Sequence, residues 1–167
     1  MSCRPPSLAP DASDLLARFA PFDMLDACAR ERLLAAARPI HAARGELLVQ
    51  QEDCPRGIHL VLDGRVKCFV LSPSGGEKIV RLAEPGSFFG EIALVTDHPR
   101  SATVACEQPT QLLSIDRDAV RALMRDQPDV LPILLRFVRE RLVDSLVRTH
   151  PLFAPFGDPD RRALIGR

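Results

Sequence analysis

The sequence predicts a mainly β domain flanked by helices, and three observations carry that prediction. Short β-branched or Leu-rich runs recur through residues 39–115, turn residues separate them at regular intervals, and Ala-, Leu- and Arg-rich helical pattern precedes and follows that stretch. At 167 residues the chain has room for one full hydrophobic core and part of a second, but not for two mature domains. With 46% apolar and 26% charged residues it has the composition of an ordinary globular protein, not of a disordered, collagenous or membrane-spanning one.

Residues 1–14 form a leader whose first ten positions hold three prolines and little to bury, so a flexible segment is expected there. Residues 11–38 read as two helical pieces broken at Pro21, which removes a donor and clashes with the preceding turn. Strand runs follow at 45–50, 57–64, 65–72, 77–83, 101–106 and 110–115. The Asp63-Gly64 pair predicts a two-residue hairpin between the second and third runs, because type I′ geometry needs positive φ at both central positions. A longer turn is expected from Ser72 to Gly76, and Pro85-Gly86 closes the strand before it. About six antiparallel strands so closely spaced imply a small sandwich or barrel rather than a parallel sheet.

Helical pattern returns after residue 115. Asp116 is placed to cap a helix over 117–126, and Asp129 to cap one over 130–149, with Pro132 tolerated in its first turn. Leu131, Leu135, Val138 and Leu142 alternate in steps of four and three, a short coiled-coil-like seam that would serve core packing or a homodimer through residues 129–148. Residues 149–167 read as a linker and the start of a second, truncated domain. There Phe153-Ala154-Pro155-Phe156 repeats Phe19-Ala20-Pro21-Phe22 letter for letter.

Twenty-two basic side chains balance 22 acidic ones, which excludes an extended phosphate-binding nucleic-acid surface but leaves room for one local anion site. Five cysteines, Cys3, Cys28, Cys54, Cys68 and Cys106, show no C-x-x-C spacing and follow no secretory start. They read as free thiols in a cytoplasmic protein, with Cys68 and Cys106 inert in strands. The hydrophobic runs are too short to span a bilayer. His41, His59, His98 and His150 lack metal-ligand spacing, and neither a metal cofactor nor a catalytic nucleophile with its base is evident, so an enzyme is the poorest fit.

The segment 86–104, GSFFGEIALVTDHPRSATV, departs from ordinary sheet texture. Gly90 permits close backbone approach, and a helical turn begun there points unpaired N–H groups outward, which favours a phosphate. Arg100, nine residues after Glu91, returns with a planar donor fork suited to two phosphate oxygens, and Ser101 adds a hydroxyl. Glu91 beside an anion site needs another task, and a carboxylate accepts well from a sugar hydroxyl. Phosphate and ribose together specify a nucleotide. The plainer alternatives are a surface pair of Arg100 with Asp97 and a helix-start charge at Glu91.

The run F-G-E-I-A-L, a short loop, then P-R-S-A-T-V closely resembles the phosphate-binding cassette of the cyclic nucleotide-binding domain family. That family includes bacterial regulators of the catabolite activator type, kinase regulatory subunits and gated ion channels. The likeness extends over residues 15–148, with support from Arg44-Gly45-Glu46, Leu62-Asp63-Gly64 and Glu84-Pro85-Gly86. It implies an eight-stranded antiparallel β-roll of the double-stranded jelly-roll kind, with N-terminal helices and two C-terminal helices. By this resemblance Glu91 accepts from the ribose 2′-hydroxyl. Arg100 pairs with the cyclic phosphate, within a cradle of Ser101 and the backbone of Gly90, Ile92, Ala93 and Ala102. Val80 lies against the base, and Arg141 and Ser145 on a closing lid helix face the base or a dimer partner.

Two departures stand out. Glu52 occupies the place of a common glycine before Asp53, so that turn is expected to be built differently, and His59 replaces a common aromatic. The function implied is a non-catalytic sensor of a cyclic nucleotide, cAMP in preference to cGMP because the cGMP-selective branch often has threonine at Ser101. It is either the sensor part of a catabolite activator-like transcription regulator or the regulatory domain of a larger protein with an effector in cis. Residues 150–167 are too short and Pro-rich for a helix-turn-helix, so the chain as given is not expected to bind DNA.

Overall fold

The computed structural model describes residues 12–149 apart from 73, 96 and 98. Residues 1–11 of the expected leader 1–14 and residues 150–167 of the expected linker and second-domain start 149–167 therefore lie outside the described residues, as do His98 and His150, while 12–14 fall in a helix and Thr149 ends one. Pro21 breaks the N-terminal helical pattern as anticipated: α1 covers Ala12–Ala17, a single 3-10 turn covers Phe22–Met24, and α2 covers Ala27–Ala35. Asp26 caps α2 by accepting from the Ala29 backbone N–H at 2.7 Å.

Eight antiparallel strands follow, in the architecture that the resemblance implied. They are β1 Ala37–Ala42, β2 Leu47–Val49, β3 Gly57–Asp63, β4 Val66–Leu71, β5 Glu77–Ala83, β6 Phe88–Phe89, β7 Thr103–Cys106 and β8 Thr110–Asp116. One sheet has the order β1-β8-β3-β6 and the other β2-β7-β4-β5. The short helix α3, Ile92–Val95, lies between β6 and β7, and α4 (Arg117–Asp126) and α5 (Val130–Thr149) close the domain. Asp116 caps α4 as expected, accepting from the Asp118 N–H at 2.8 Å. Among the described residues no helix is long and apolar enough to cross a membrane.

Three expectations need correction. Asp63-Gly64 is not a hairpin: β3 and β4 belong to different sheets, and these residues carry the chain across the roll. Only Gly64 has positive φ, +89°, and a Cβ there would lie 2.5 Å from the Pro109 carbonyl oxygen, so the glycine answers close backbone approach. β1 begins at Ala37, where the helical pattern was expected to persist to residue 38, and β6 is too short for any periodicity to show. Finally, the expected seam on α5 is not a single buried stripe: Leu131 and Leu135 are 40% and 44% exposed, whereas Val138 is buried together with Val130 and Leu134 from outside the seam.

Two apolar clusters hold these elements. Between the sheets, Ala42, Val61, Phe89 and Leu112 meet Val49, Val66, Cys68, Ala83, Val104 and Cys106. On the far side of the β1-β8-β3-β6 sheet, Ile58, Leu60, Phe88, Leu113 and Ile115 pack against Leu16, Phe22, Leu33, Leu123 and Leu134 of the helical layer. β3 is thus covered on both faces, which explains why its apolar residues, interrupted by His59, do not alternate with polar ones.

Candidate functional site

The site is built around the turn from β6 into α3 and the strand approach to β7. Gly90 sits at φ +88°, and a Cβ there would fall 2.8 Å from the Gly57 carbonyl oxygen and 2.6 Å from Arg100 Nη1. Only glycine lets this turn close around the guanidinium. Arg100 is 8% exposed and donates from Nη2 to the Gly57 carbonyl at 2.7 Å and from Nη1 to the Gly90 carbonyl at 3.2 Å. A guanidinium carries five N–H donors, these two bonds occupy one on each Nη, and Arg100 lines the cleft. Burial pulls the Arg100 pKa down, opposed by the Glu91 and Asp53 carboxylates, and the group stays cationic.

A second feature fixes Arg100 from the other side. In the loop after β2, the Glu52 N–H donates to the Arg100 carbonyl at 2.9 Å and the Arg100 N–H donates to the Asp53 carbonyl at 2.9 Å. The loop is tied in turn by Gln51 N–H to Thr103 Oγ1 at 3.0 Å. Glu52 has φ +70°, the left-handed conformation that glycine adopts readily. The turn is therefore built with the backbone a glycine would give it, and the expectation of a different construction fails.

Glu91 is also 8% exposed and lines the same cleft. Gly90, Ile92, Arg100, Ser101, Ala102, Val80 and Arg141 all line it, so seven further residues singled out from the sequence converge with Glu91. The backbone of Ala93 lies in α3 beside them; its side chain and that of Ser145 are outside the described set. Asp97 does not pair with Arg100. Its carboxylate accepts from Arg117 at 2.9 Å and Arg121 at 3.1 Å on α4, and both cations hold its pKa below the usual carboxylate value.

Sequence reasoning missed two charged groups in the cleft wall, Arg81 on β5 and Asp144 on α5. Arg81 escaped because strand alternation should send it away from the side that Val80 faces. In fact Cys68 pairs with Arg81 and Phe69 with Ile79, leaving Val80 as the extra residue of a bulge, and the bulge turns both side chains inward. Arg81 Nη1 donates to the Phe88 carbonyl at 3.0 Å. Arg141 lies with its guanidinium carbon 5.0 Å over the Phe137 ring; burial and the neighbouring Arg81 charge depress its pKa.

Cys68 lines the wall and His59 lies behind its Phe89, and both are uncharged. The Cys68 thiol is pushed up to about 11, chiefly by burial, and is unreactive. His59 stacks on Phe89 with ring centres 5.0 Å apart, and burial together with Arg100 lowers its pKa to about 4. Among the described residues, no three His, Cys, Asp or Glu side chains are grouped to hold a metal ion. Chemically, the cleft offers a buried cation and a buried carboxylate beside apolar side chains that include Val49, Val80, Phe89 and Val104.

The family described as "Cyclic nucleotide-binding domain" matches residues 39–127. The "CRP-like cAMP-activated global transcriptional regulator" of Mycobacterium tuberculosis is 26% identical over 129 residues, covering 77% of this chain and 58% of the relative. The chain thus spans little more than half of that regulator. The acetyltransferase Pat of Mycolicibacterium smegmatis is 37% identical over 114 residues, 68% of this chain and 34% of the relative. Among solved structures, the N-terminal domain of a transcriptional regulator from Streptomyces coelicolor superposes with a TM-score of 0.66 at 30% identity, covering 76% of this chain and 90% of that one.

Proposed function

Because the chain belongs to the cyclic nucleotide-binding domain family, we propose that its cleft binds a cyclic purine mononucleotide, cAMP in preference to cGMP, as a sensor without catalytic chemistry. The observation that carries this reading is the convergence of the buried Glu91 and Arg100, nine residues apart in sequence, on one cleft. Arg100 keeps donors for the cyclic phosphate, Ser101 and the α3 backbone complete its cradle, and Glu91 accepts from the ribose 2′-hydroxyl. Val80 supports the base on the bulged strand, and Arg141 on α5 closes over it. Ser145, one residue after Asp144, takes part on the same helix.

The ligand shifts the position of α5 only through contacts it makes better in one arrangement than in the other. Preference for cAMP rests on Ser101. The setting proposed is a cytoplasmic regulator, either the sensor part of a catabolite activator-like protein or the regulatory domain of a longer chain. The exposed Leu131, Leu135, Val143 and Leu146 favour contact between two copies through residues 129–148.

Calorimetric titration with both nucleotides tests the reading. Binding is expected, stronger for cAMP, and Arg100→Ala should weaken it by about 100-fold, the value of a charge-assisted phosphate contact. Glu91→Gln, which keeps the shape of the site, should weaken it about 10-fold. Binding undiminished in both variants would sink the assignment.

A further inference from the structure

Three cations line the cleft, Arg81, Arg100 and Arg141, and the binding scheme above gives Arg81 no task. Arg81 reaches the cleft from β5 because the bulge at Val80 sets it opposite the inward-facing Cys68. There its Nη1 donates to the Phe88 carbonyl at 3.0 Å. β5 is the last strand of one sheet and β6 the last of the other, so this bond spans the edge at which the roll opens and ties the two sheets together. β6 is two residues long, and its only strand neighbour is β3, through the pairs His59 with Phe89 and Leu60 with Phe88. The Ser87 carbonyl accepts from the Val61 N–H at 2.9 Å, and successive carbonyls of an extended chain alternate in direction, so that of Phe88 points away from β3. Phe88 is 2% exposed, and a buried carbonyl on the bare side of an edge strand needs a donor from outside its sheet. Arg81 supplies it.

The consequence lies further along the chain. Glu91 comes three residues after Phe88, with Gly90 at φ +88° between them. The turn from β6 into α3 is thus held by two guanidiniums, Arg100 on the Gly90 carbonyl at 3.2 Å and Arg81 on the Phe88 carbonyl. Arg100 has supports of its own: Nη2 donates to the Gly57 carbonyl at 2.7 Å, and its backbone is bonded to Glu52 and Asp53. The phosphate side of the cleft therefore stands without Arg81, whereas the approach to Glu91 does not. We propose that Arg81 is a positioning residue, which pins β6, sets the direction of the Glu91 carboxylate and so supports recognition of the ribose hydroxyl without touching the ligand. The inference rests on the nucleotide reading given above and adds to it a residue that acts through Glu91.

Titrations with cAMP and with 2′-deoxy-cAMP, which lacks the hydroxyl assigned to Glu91, test it. Arg81→Met, which keeps the unbranched stem and its packing, should weaken cAMP binding about 10-fold and 2′-deoxy-cAMP binding less than about 2-fold. Arg81→Lys, which still brings a donor to the Phe88 carbonyl, should hold cAMP binding within about 3-fold of wild type. In a Glu91→Gln background, Arg81→Met should add less than about 2-fold, because the two residues act on one contact. Equal weakening of both nucleotides with a lowered thermal midpoint would make Arg81 a purely structural residue and overturn the proposal. A loss that differs between cAMP and cGMP would mean that Arg81 touches the base, and would overturn it too. In the unliganded protein, amide hydrogen exchange at residues 89–91 should be faster in Arg81→Met than in wild type or Arg81→Lys. Unchanged exchange there overturns the proposal whatever the titrations give. If the wild type binds neither nucleotide, the function proposed above falls, while faster exchange in Arg81→Met still upholds the hold of Arg81 on the turn that carries Glu91.

Discussion

At the scale of single residues, His59 shows how a titratable side chain beside the Arg100 cation is kept neutral. It faces inward from β3, stacks on Phe89, and its buried Nδ1 has no hydrogen-bond partner. A charged imidazole there would lack solvation and repel Arg100, and its pKa falls to about 4 from an ordinary value near 6.5. The unfolded chain therefore binds a proton between those values that the folded chain refuses. Stability is fully present above pH 6.5 and declines as pH falls toward 4. Urea unfolding at pH 7.5 and 5 should show the wild type losing about 2 kcal/mol that His59→Phe does not lose, at roughly 1.4 kcal/mol per pH unit. Parallel pH dependence in the two proteins would refute a buried neutral His59. The sequence marked His59 only as an unusual occupant of an aromatic position, because its burial depends on β6, which brings Phe89 against it from outside any local window.

At the scale of elements, α5 separates what periodicity can and cannot determine. A helix over this stretch was legible, but the face it buries was not. Leu131 and Leu135 of the expected seam lie about 100° around the helix from Val130 and Leu134, and both pairs are apolar, while Val138 of the seam falls between the two. The β1-β8-β3-β6 sheet selects the stripe of Val130, Leu134 and Val138, because Phe137 beside it stacks on Phe88 with ring centres 4.8 Å apart. Leu134→Ala should cost about 2–4 kcal/mol by leaving a cavity, and Leu135→Ala less than about 0.5 kcal/mol, as measured by chemical denaturation of the monomeric protein. Equal losses would restore the seam that the sequence suggested. The Asp63-Gly64 crossing failed for a related reason: a tight glycine turn looks the same whether its strands pair in one sheet or part into two. The Ser72–Gly76 turn was read correctly because β4 and β5 do pair, with Leu71 opposite Glu77 and the Ser72 N–H donating to the Gly76 carbonyl at 2.8 Å.

At the scale of the whole molecule, the two apolar clusters meet at β6, and this governs how a bound nucleotide would be felt. Phe88 belongs to the helix-side cluster and touches Phe137, while its neighbour Phe89 belongs to the cluster between the sheets and lines the cleft. The first half of α5 is thus fastened to the core through Leu134, Phe137 and Val138, and its second half brings Arg141 and Asp144 to the cleft mouth. Opening free energies differ within a structure according to buried contacts, so the two halves should respond to ligand differently. In hydrogen exchange, saturating cAMP should slow the amides of 141–149 and of the α3 turn, by mass action on the bound state, and leave 130–138 nearly unchanged. Uniform slowing along α5 would mean that the helix moves as one rod. No slowing beyond residue 140 would mean that the ligand is held by the cassette alone and that α5 is no lid. The same split explains why the site was more legible than the mechanism. Glu91, Arg100 and their glycine turn lie within eleven consecutive residues, whereas the seating of α5 is defined by a contact between strand and helix 49 residues apart.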